Sequence, residues 1–261
     1  MRKINKLKQT LDEGKIALGS CIDSYSPAVM EVAGYSGLDF VRIDTEYSWR
    51  RDDVLEHMIR AAVIAELSPM IRIEKGNHYL ASKVLQIGAS AILVSDVATF
   101  QEAVDVVKSA KFAPKGVRGY SSFSFSGGWG FHGGEEWVNW SNTEILVGIM
   151  VENEQIMTQI DDVFAIEGLD FCLFGPADYC MSLGLGAPKK GHPKVEKAIR
   201  KTIDAATKHN KAVGIGIGQP WEENAKRYID LGCRFLEIGH ELGILRAEWH
   251  AAASSIRMIR N

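Results

Sequence analysis

The feature that most constrains how this chain folds is an eightfold alternation of short apolar runs with longer amphipathic ones. Several apolar runs are nearly continuous in Val, Ile, Leu and Phe, which is typical of parallel strands covered on both faces. The longer runs place apolar residues three and four positions apart, as amphipathic helices do. This alternation predicts an α/β fold, a (β/α)8 barrel, and a doubly wound open sheet is the competing arrangement.

Glycines repeat at the joints of this pattern. Gly88, Gly168 and Gly232 each follow an apolar helix end and precede a strand, where glycine supplies a left-handed turn. The repeated glycines favour one architecture that recurs along the chain, so we expect residues 1–261 to form a single domain. The predicted strands are 16–22, 39–43, 69–73, 91–95, 145–151, 170–174, 212–217 and 234–238, and the predicted helices are 26–35, 51–66, 77–86, 99–110, 154–166, 194–209, 222–231 and 242–259.

Charge and composition exclude several classes of protein. Lys and Arg number 30 against 33 Asp and Glu, a net charge of -3, which gives no electrostatic reason to bind nucleic acid or anionic membranes. No apolar run reaches the roughly 18 residues of a membrane span, and the basic amino terminus lacks a following apolar signal core. We therefore expect a cytoplasmic protein. Its scattered cysteines, Cys21, Cys172, Cys180 and Cys233, are expected to be buried free thiols.

Polar side chains follow several predicted strands. Asp44 follows the second strand, Arg72 lies near the end of the third, Glu152 follows the fifth and Asp178 follows the sixth. In a barrel of this kind, chemistry gathers at the carboxyl ends of the strands. Each residue alone has a structural alternative, such as a helix cap or an ion pair. Glu152 and Asp178 would meet across one site, where a divalent cation relieves their repulsion.

The same residues indicate the kind of ligand. Oxygen-only ligands suit Mg²⁺ or Mn²⁺, and no Cys or His cluster supports zinc. Arg72 offers a planar fork to a carboxylate or an enolate, and the turn Gly175-Pro176-Ala177-Asp178 can present backbone N–H groups to an anion. Together they describe a holder for a 2-oxo acid. The predicted chemistry is carbon–carbon bond making or breaking, or proton abstraction, beside a carbonyl.

One long interruption separates the fourth and fifth strands, over residues 116–142. It contains the glycine-rich aromatic run from Tyr120 to Gly130. A loop of this length inside a compact domain is usually functional or forms an interface. We expect either a lid that shapes the choice of carbonyl acceptor or a structural excursion.

Six short motifs resemble one enzyme family over nearly the whole chain, from about Gly14 onward. They are Leu18-Gly19, Phe40-Val41-Arg42-Ile43-Asp44-Thr45-Glu46, Met70-Ile71-Arg72, Gly116-Val117-Arg118-Gly119, Val151-Glu152 and Phe174-Gly175-Pro176-Ala177-Asp178. The last motif, with Glu152 spaced before it, is the most specific. On these motifs the chain resembles the HpcH/HpaI family of class II metal-dependent pyruvate aldolases. That family includes 4-hydroxy-2-oxoheptanedioate (2,4-dihydroxyhept-2-ene-1,7-dioate) aldolases and 2-keto-3-deoxy sugar-acid aldolases.

The resemblance implies a barrel that exchanges its C-terminal helix between subunits and assembles as a hexamer, a trimer of dimers. It implies that Glu152 and Asp178 bind the metal, Mg²⁺ or Mn²⁺ with Co²⁺ as a third candidate. Arg72 would bind pyruvate and steady its enolate, and the amides of Ala177 and Asp178 would receive the carboxylate. The implied reaction adds an aldehyde to the pyruvate enolate or reverses that addition.

The chain departs from the family at the acid–base pair. Tyr47 stands where the family has a histidine, Gln86 where it has the aspartate partner, and Met150 where it has a glutamine. A phenol with an ordinary pKa of about 10 is a poor base at neutral pH. Tyr47 is therefore a candidate for catalysis, for shaping the substrate pocket, or for neither. His78 is the nearest alternative imidazole in sequence, unless it is a surface residue.

These departures leave two alternatives to an aldolase beside the leading hypothesis. One is a citrate-synthase-like condensation on oxaloacetate. The other is a degenerate, non-catalytic protein that binds a 2-oxo acid or a metal. In the leading hypothesis Asp44 orients the loop after the second strand or holds metal-bound water.

Overall fold

The strands close into a barrel. The structure is a computed structural model that describes residues 4–48, 52–189 and 191–259. Within these ranges eight parallel strands pair in chain order, and β1 also pairs with β8. The prediction of a (β/α)8 barrel is therefore confirmed and the open sheet is excluded. The strands are β1 (Ala17–Ile22), β2 (Phe40–Asp44), β3 (Ser68–Ile73), β4 (Ala91–Val94), β5 (Leu146–Val151), β6 (Phe171–Phe174), β7 (Ala212–Ile217) and β8 (Phe235–His240).

Helices return the chain from the carboxyl end of one strand to the amino end of the next. The described ranges hold α1 (Lys6–Asp12), α2 (Pro27–Tyr35), α3 (Asp52–Ile64), α4 (His78–Gln86), α5 (Phe100–Ala110), α6 (Gly134–Glu144), α7 (Ile160–Phe164), α8 (Pro176–Ser182), α9 (Pro193–Lys208), α10 (Trp221–Leu231) and α11 (Glu241–Met258). The prediction for 154–166 was too long, because a 3-10 turn at Ile156–Thr158 precedes the short α7. The predicted start of α3 at Arg51 lies outside the described residues.

Aromatic rings fill the amino-terminal end of the barrel interior. Phe235 meets Phe40 and Phe171 edge to face, with ring centroids 5.8 and 5.6 Å apart. Each ring lies opposite a glycine of the preceding strand in the sheet, so that alternate strands contribute one packed layer. An added Cβ would lie within 3.0 Å of a ring at Gly19, Gly148 and Gly214.

Helix α1, which the sequence pattern did not predict, covers this end of the barrel. Leu7 is fully buried against the interior layer, and its backbone N–H donates to Ser68 Oγ at 2.9 Å. Asn5 caps the helix by accepting from the N–H of Lys8. Only Leu7 and Leu11 mark an apolar side in a short basic run, which is too little periodicity to distinguish a helix from a tail.

The long loop of residues 116–142 lies at the amino-terminal end as well. Phe125 packs on Gly88, and the N–H of Ser126 donates to the carbonyl of Gln86, the last residue of α4. The second half of the segment forms α6. The expectation of a lid is therefore wrong for the chain's own site, because the loop is anchored at the opposite end from the carboxyl ends of the strands.

One sector of the barrel wall is thinly covered. Glu241 is the one buried side chain of α11, and α10 has none. Leu18 on the outer face of β1 is 38% exposed, and Val32 and Tyr35 on α2 are 64% and 92% exposed. Helix α11 therefore does not cover the β8–β1 sector between α10 and α2, where the eighth helix of a barrel normally packs.

Two further observations concern membranes and thiols. Among the helices within the described ranges, none is both long and apolar enough to cross a membrane. All four cysteines are free and buried, as predicted.

The glycine opposite Phe235 offers a test of the interior layer. We expect Gly214→Ala to lower the free energy of unfolding by about 1–3 kcal/mol, because the added methyl group must displace a buried ring. Gly216→Ala on the same strand is the matched control, because its Cβ would meet nothing within 4 Å. Urea unfolding measures both variants, and equal stabilities would contradict this account of the packing.

Candidate active site

The carboxyl ends of the strands bring the predicted charged residues to one end of the barrel. Asp44 ends β2 and pairs with Arg72 in the β2–β3 register. Glu152 follows β5, and Asp178 lies in the first turn of α8 after β6. Arg72, Asp44 and Glu152 are buried, and Asp178 is half-buried.

Arg72 lies at the centre of this group. Its Nη1 donates to Asp44 Oδ2 at 3.1 Å, and its Nη2 lies 2.6 Å from Glu46 Oε2 and 3.6 Å from Glu152 Oε2. Burial acts to lower the pKa of Arg72, but the neighbouring carboxylates, Asp44 first, outweigh burial and raise the pKa above its ordinary value. The guanidinium therefore stays charged.

Asp44 connects Arg72 to a second buried arginine and to the following loop. Asp44 Oδ2 also accepts from Arg42 Nη1 at 3.1 Å, while its Oδ1 accepts the N–H groups of Glu46 and Tyr47, each at 2.8 Å. Arg42 in turn makes a two-pronged pair with Glu237 of β8, at 2.6 and 2.9 Å. Both oxygens of Asp44 are thus used to hold Arg72 and the loop, which is the orienting role considered for it.

Glu152 is held by the backbone of the neighbouring strand end. Its Oε1 accepts the N–H of Asp96 at 2.6 Å, and Asp96 adopts a positive φ of 50° to present that group. Burial first, and then the charges of Asp178 and Glu46, raise the pKa of Glu152 above its ordinary value. Its Oε2 is buried and has no hydrogen-bond partner among the described residues.

Gly175 allows α8 to begin close to Glu152. A Cβ at Gly175 would lie 2.9 Å from the Cβ of Glu152 and 3.1 Å from its Oε2. Pro176 occupies the first position of α8, where its missing N–H costs nothing. The amides of Ala177 and Asp178 belong to the first turn, whose N–H groups have no partner within the helix.

The donor set of this site fits a divalent cation. Among the described residues of this site, five carboxylates face two guanidinium groups, so their negative charge is in excess: Asp44, Glu46, Glu152, Asp178 and Glu237 against Arg42 and Arg72. The Oε2 of Glu152, which accepts no hydrogen bond from the described residues, is the kind of hard oxygen atom that Mg²⁺ and Mn²⁺ prefer. Glu152 and Asp178 are thus the residues that would hold the ion.

Tyr47 covers the site from the solvent side. It is 72% exposed, and its ring lies 4.8 Å from the Arg72 guanidinium carbon. Burial of the phenol group, followed by the charges of Glu46 and Asp178, raises the pKa of Tyr47, so that still less of its basic phenolate form is present at neutral pH. Tyr47 follows the carboxyl end of β2, whereas Gln86 is the last residue of α4 and lies near the amino ends of the strands. The two positions of the family's acid–base pair are therefore far apart within one chain.

His78 does not join this group. It is exposed at the first position of α4. Glu46, Arg42 and Glu237 were missed as site residues, although Arg42 lies two positions before Asp44 and therefore faces the same side of β2. Nothing in sequence indicated that Glu237 would pair with a residue 195 positions away.

Comparison with known proteins identifies the family. A family model described as HpcH/HpaI aldolase/citrate lyase matches residues 19–247. The chain belongs to this family. A hydroxypyruvate/pyruvate aldolase of Pseudomonas aeruginosa is 30% identical over 244 residues, 93% of this chain and 89% of that protein. A 5-keto-4-deoxy-D-glucarate aldolase of Escherichia coli is 29% identical over 97% of each chain.

A solved structure is similar to nearly the whole chain. Citrate synthase SbnG has a TM-score of 0.86 and 27% identity to this chain, and the match covers 97% of this chain and 98% of that one. The HpcH/HpaI family predicted from the motifs is confirmed, and with it the prediction of an aldolase-type enzyme, a carbon–carbon lyase. Enzymes of this family depend on a metal.

The buried Arg42–Glu237 pair offers a test of how the site is supported. We expect Arg42→Met to lower the free energy of unfolding by about 3–5 kcal/mol, because it leaves the Glu237 carboxylate buried without its partner. The double variant Arg42→Met/Glu237→Leu should recover most of that loss. Urea unfolding of the single and the double variant measures the two free energies. A double variant as unstable as the single one would show that the pair does not account for the effect.

Proposed function

We propose that this enzyme cleaves or forms a carbon–carbon bond beside the carbonyl of a 2-oxo acid, with the enolate of pyruvate as the common intermediate. The observation that supports the proposal is the Arg72 guanidinium, held within 3.6 Å of the Asp44, Glu46 and Glu152 carboxylates. The aldolase names of two relatives favour the same substrate class.

Glu152 and Asp178 would hold the metal, for which Mg²⁺ or Mn²⁺ suits the oxygen donors best and Co²⁺ is a third candidate. When bound, the ion supplies Lewis-acid polarisation of the 2-oxo carbonyl. The charges of Asp178 and Glu46, which add to burial in raising the pKa of Glu152, favour a bound cation for the same electrostatic reason.

Arg72 and the first turn of α8 would bind the anionic end of the substrate. The Arg72 guanidinium is fixed by Asp44, so its donors need no reorganisation when negative charge develops on the enolate oxygen. The amides of Ala177 and Asp178, with Gly175 and Pro176 setting the turn, would receive the carboxylate. Tyr47, lying over Arg72, would shape the pocket on the acceptor side.

A condensation of the citrate-synthase type is the second candidate. The similarity to citrate synthase SbnG favours it, and Tyr47 at the position of the family's histidine weakens the case for the usual aldehyde substrate. The discriminating assay supplies acetyl-CoA and oxaloacetate. Citrate formation would support this candidate, whereas turnover of pyruvate with aldehydes alone would support the aldolase.

Glu152→Gln tests the enolate site directly. We expect it to slow metal-dependent deuterium exchange of the pyruvate methyl group by at least about 10²-fold, because the carboxylate charge is lost with little change in shape. Arg72→Lys should act in the same direction, because an ammonium group cannot replace the planar fork. Proton NMR in D₂O measures the exchange. The control is Glu154→Gln, two positions further on and exposed, and equal rates for Glu152→Gln and this control would contradict the assignment.

We further propose that α11 packs on a second copy of this chain, within the trimer of dimers that the family resemblance implies. Leu242, Leu245, Trp249 and Ile256 form one apolar stripe of α11, and each is at least 40% exposed. The β8–β1 sector of the barrel is uncovered at Leu18. A helix from the partner would cover both apolar surfaces.

The stripe predicts the oligomeric state. The wild-type chain is expected to associate, because apolar stripes of this kind are rarely left in water, and the family resemblance implies six chains by size-exclusion chromatography with light scattering. Leu245→Glu/Trp249→Glu should dissociate it. Ala247→Glu, exposed on the opposite side of α11, is the control and should leave the assembly intact. A monomeric wild type at micromolar concentration would contradict the exchange.

A further inference from the structure

A histidine–carboxylate pair lies at the same end of the barrel as Arg72. His240, the last residue of β8, lies with its Nδ1 2.8 Å from Asp23 Oδ2, just after β1. Asp23 is itself fixed, because its other oxygen accepts from Ser48 Oγ at 3.2 Å and its backbone N–H donates to Glu241 at 2.9 Å. The other ring nitrogen of His240 has no hydrogen-bond partner among the described residues.

The strand register places this pair beside the arginine network. His240 pairs with Cys21 of β1, and Cys21 pairs with Arg42 of β2. Asp23, two residues after Cys21, therefore lies at the height of Asp44, the partner of Arg72. In an eight-stranded barrel the interior is only wide enough for side chains, so groups around this rim converge on one space.

The loop after β2 links the two groups. Tyr47 of this loop lies over Arg72, and the next residue, Ser48, donates to Asp23. Tyr47 stands at the position where other family members have a histidine, and the residue directly after it contacts the His240–Asp23 pair.

A second interpretation of the same residues is a cation site. Ligand atoms of Cys21, Asp23 and His240 all lie within 4.8 Å of one another. Burial, however, raises the pKa of the Cys21 thiol, and its Sγ lies 3.7 Å from Asp23 Oδ1 as a donor. A protonated thiol is a poor ligand, and Asp23 is already engaged with the imidazole. The arrangement is instead that of a base oriented by a carboxylate.

We infer that His240, oriented by Asp23, transfers the proton that Tyr47 is too weak a base to take. In cleavage, Nε2 of neutral His240 accepts the proton of the hydroxyl group on the carbon whose bond breaks. The O–H electron pair becomes the carbonyl of the leaving aldehyde, and the electrons of the carbon–carbon bond pass into the 2-oxo group as the enolate. The imidazolium then gives its proton to the enolate carbon, which yields pyruvate and restores neutral His240.

This inference rests on the proposed function, and a pair of assays separates the two. Exchange of the pyruvate methyl group with D₂O requires a base, whereas decarboxylation of oxaloacetate reaches the same enolate by loss of CO₂ without one. We expect His240→Asn to slow exchange by about 10²-fold or more and to leave CO₂ release within about threefold of wild type. His250→Asn, an exposed histidine of α11, is the matched control.

Each outcome has one meaning. Loss of exchange with retained decarboxylation supports the inference, because the enolate site and the fold are then intact. Exchange at the wild-type rate overturns it, and so does loss of both activities, since His240 would then act on structure or binding. A wild-type enzyme with neither activity would overturn the proposed function and this inference with it.

The pH dependence of deuterium exchange in the Asp23→Asn variant distinguishes a base from a structural residue. It would not change if His240 had only a structural role. The hydrogen bond to Asp23 raises the pKa of His240, against burial and the charge of Arg42. Glu237, which faces the imidazole from β8, also raises this pKa, and Glu241 holds the backbone of Asp23. The base is active when neutral, so removing the Asp23 charge should shift the acidic limb of the profile to lower pH. An unmoved limb would count against His240 as the base.

Discussion

The buried guanidinium of Arg72 is the interaction on which the rest of the site depends. Its positive charge lies among the carboxylates of Asp44, Glu46 and Glu152, groups that would otherwise repel one another in a region shielded from water. Asp44 of β2 keeps Arg72 of β3 in place, Arg42 of β2 contacts Asp44, and Glu237 of β8 holds Arg42. The site is thus supported by three strands of a closed sheet, and the proposed metal ligands Glu152 and Asp178 follow two further strands.

The barrel supplies what this arrangement needs. Parallel strands deliver charged residues to one rim, while the phenylalanine and glycine layer near the other end keeps the interior closed and apolar. Two local features of the backbone shape the site at the carboxyl ends of the strands. Asp96 takes a positive φ to present its N–H to Glu152, and Gly175 leaves room for α8 to start against the same carboxylate.

The sequence was sufficient for the barrel and for the positions of Asp44, Arg72, Glu152 and Asp178, because strand periodicity determines which end of each strand meets the others. It was not sufficient for contacts between distant strands, such as Arg42 with Glu237 or Asp23 with His240. It also left two alternatives open for the long loop, a lid or a structural excursion, since a glycine-rich run does not say which end of the barrel it covers. Helix α1 was missed because two leucines give too little periodicity.

The central claim is that Glu152, Asp178 and Arg72 together form one site for a divalent cation and a 2-oxo acid. Electron paramagnetic resonance of Mn²⁺ bound to the chain tests this most directly, with oxalate as a stable mimic of the enolate. The account predicts one bound Mn²⁺ per chain, a spectrum that changes when oxalate is added, and loss of both in Asp178→Asn. Mn²⁺ that binds equally to wild type and Asp178→Asn, with no response to oxalate, would contradict it.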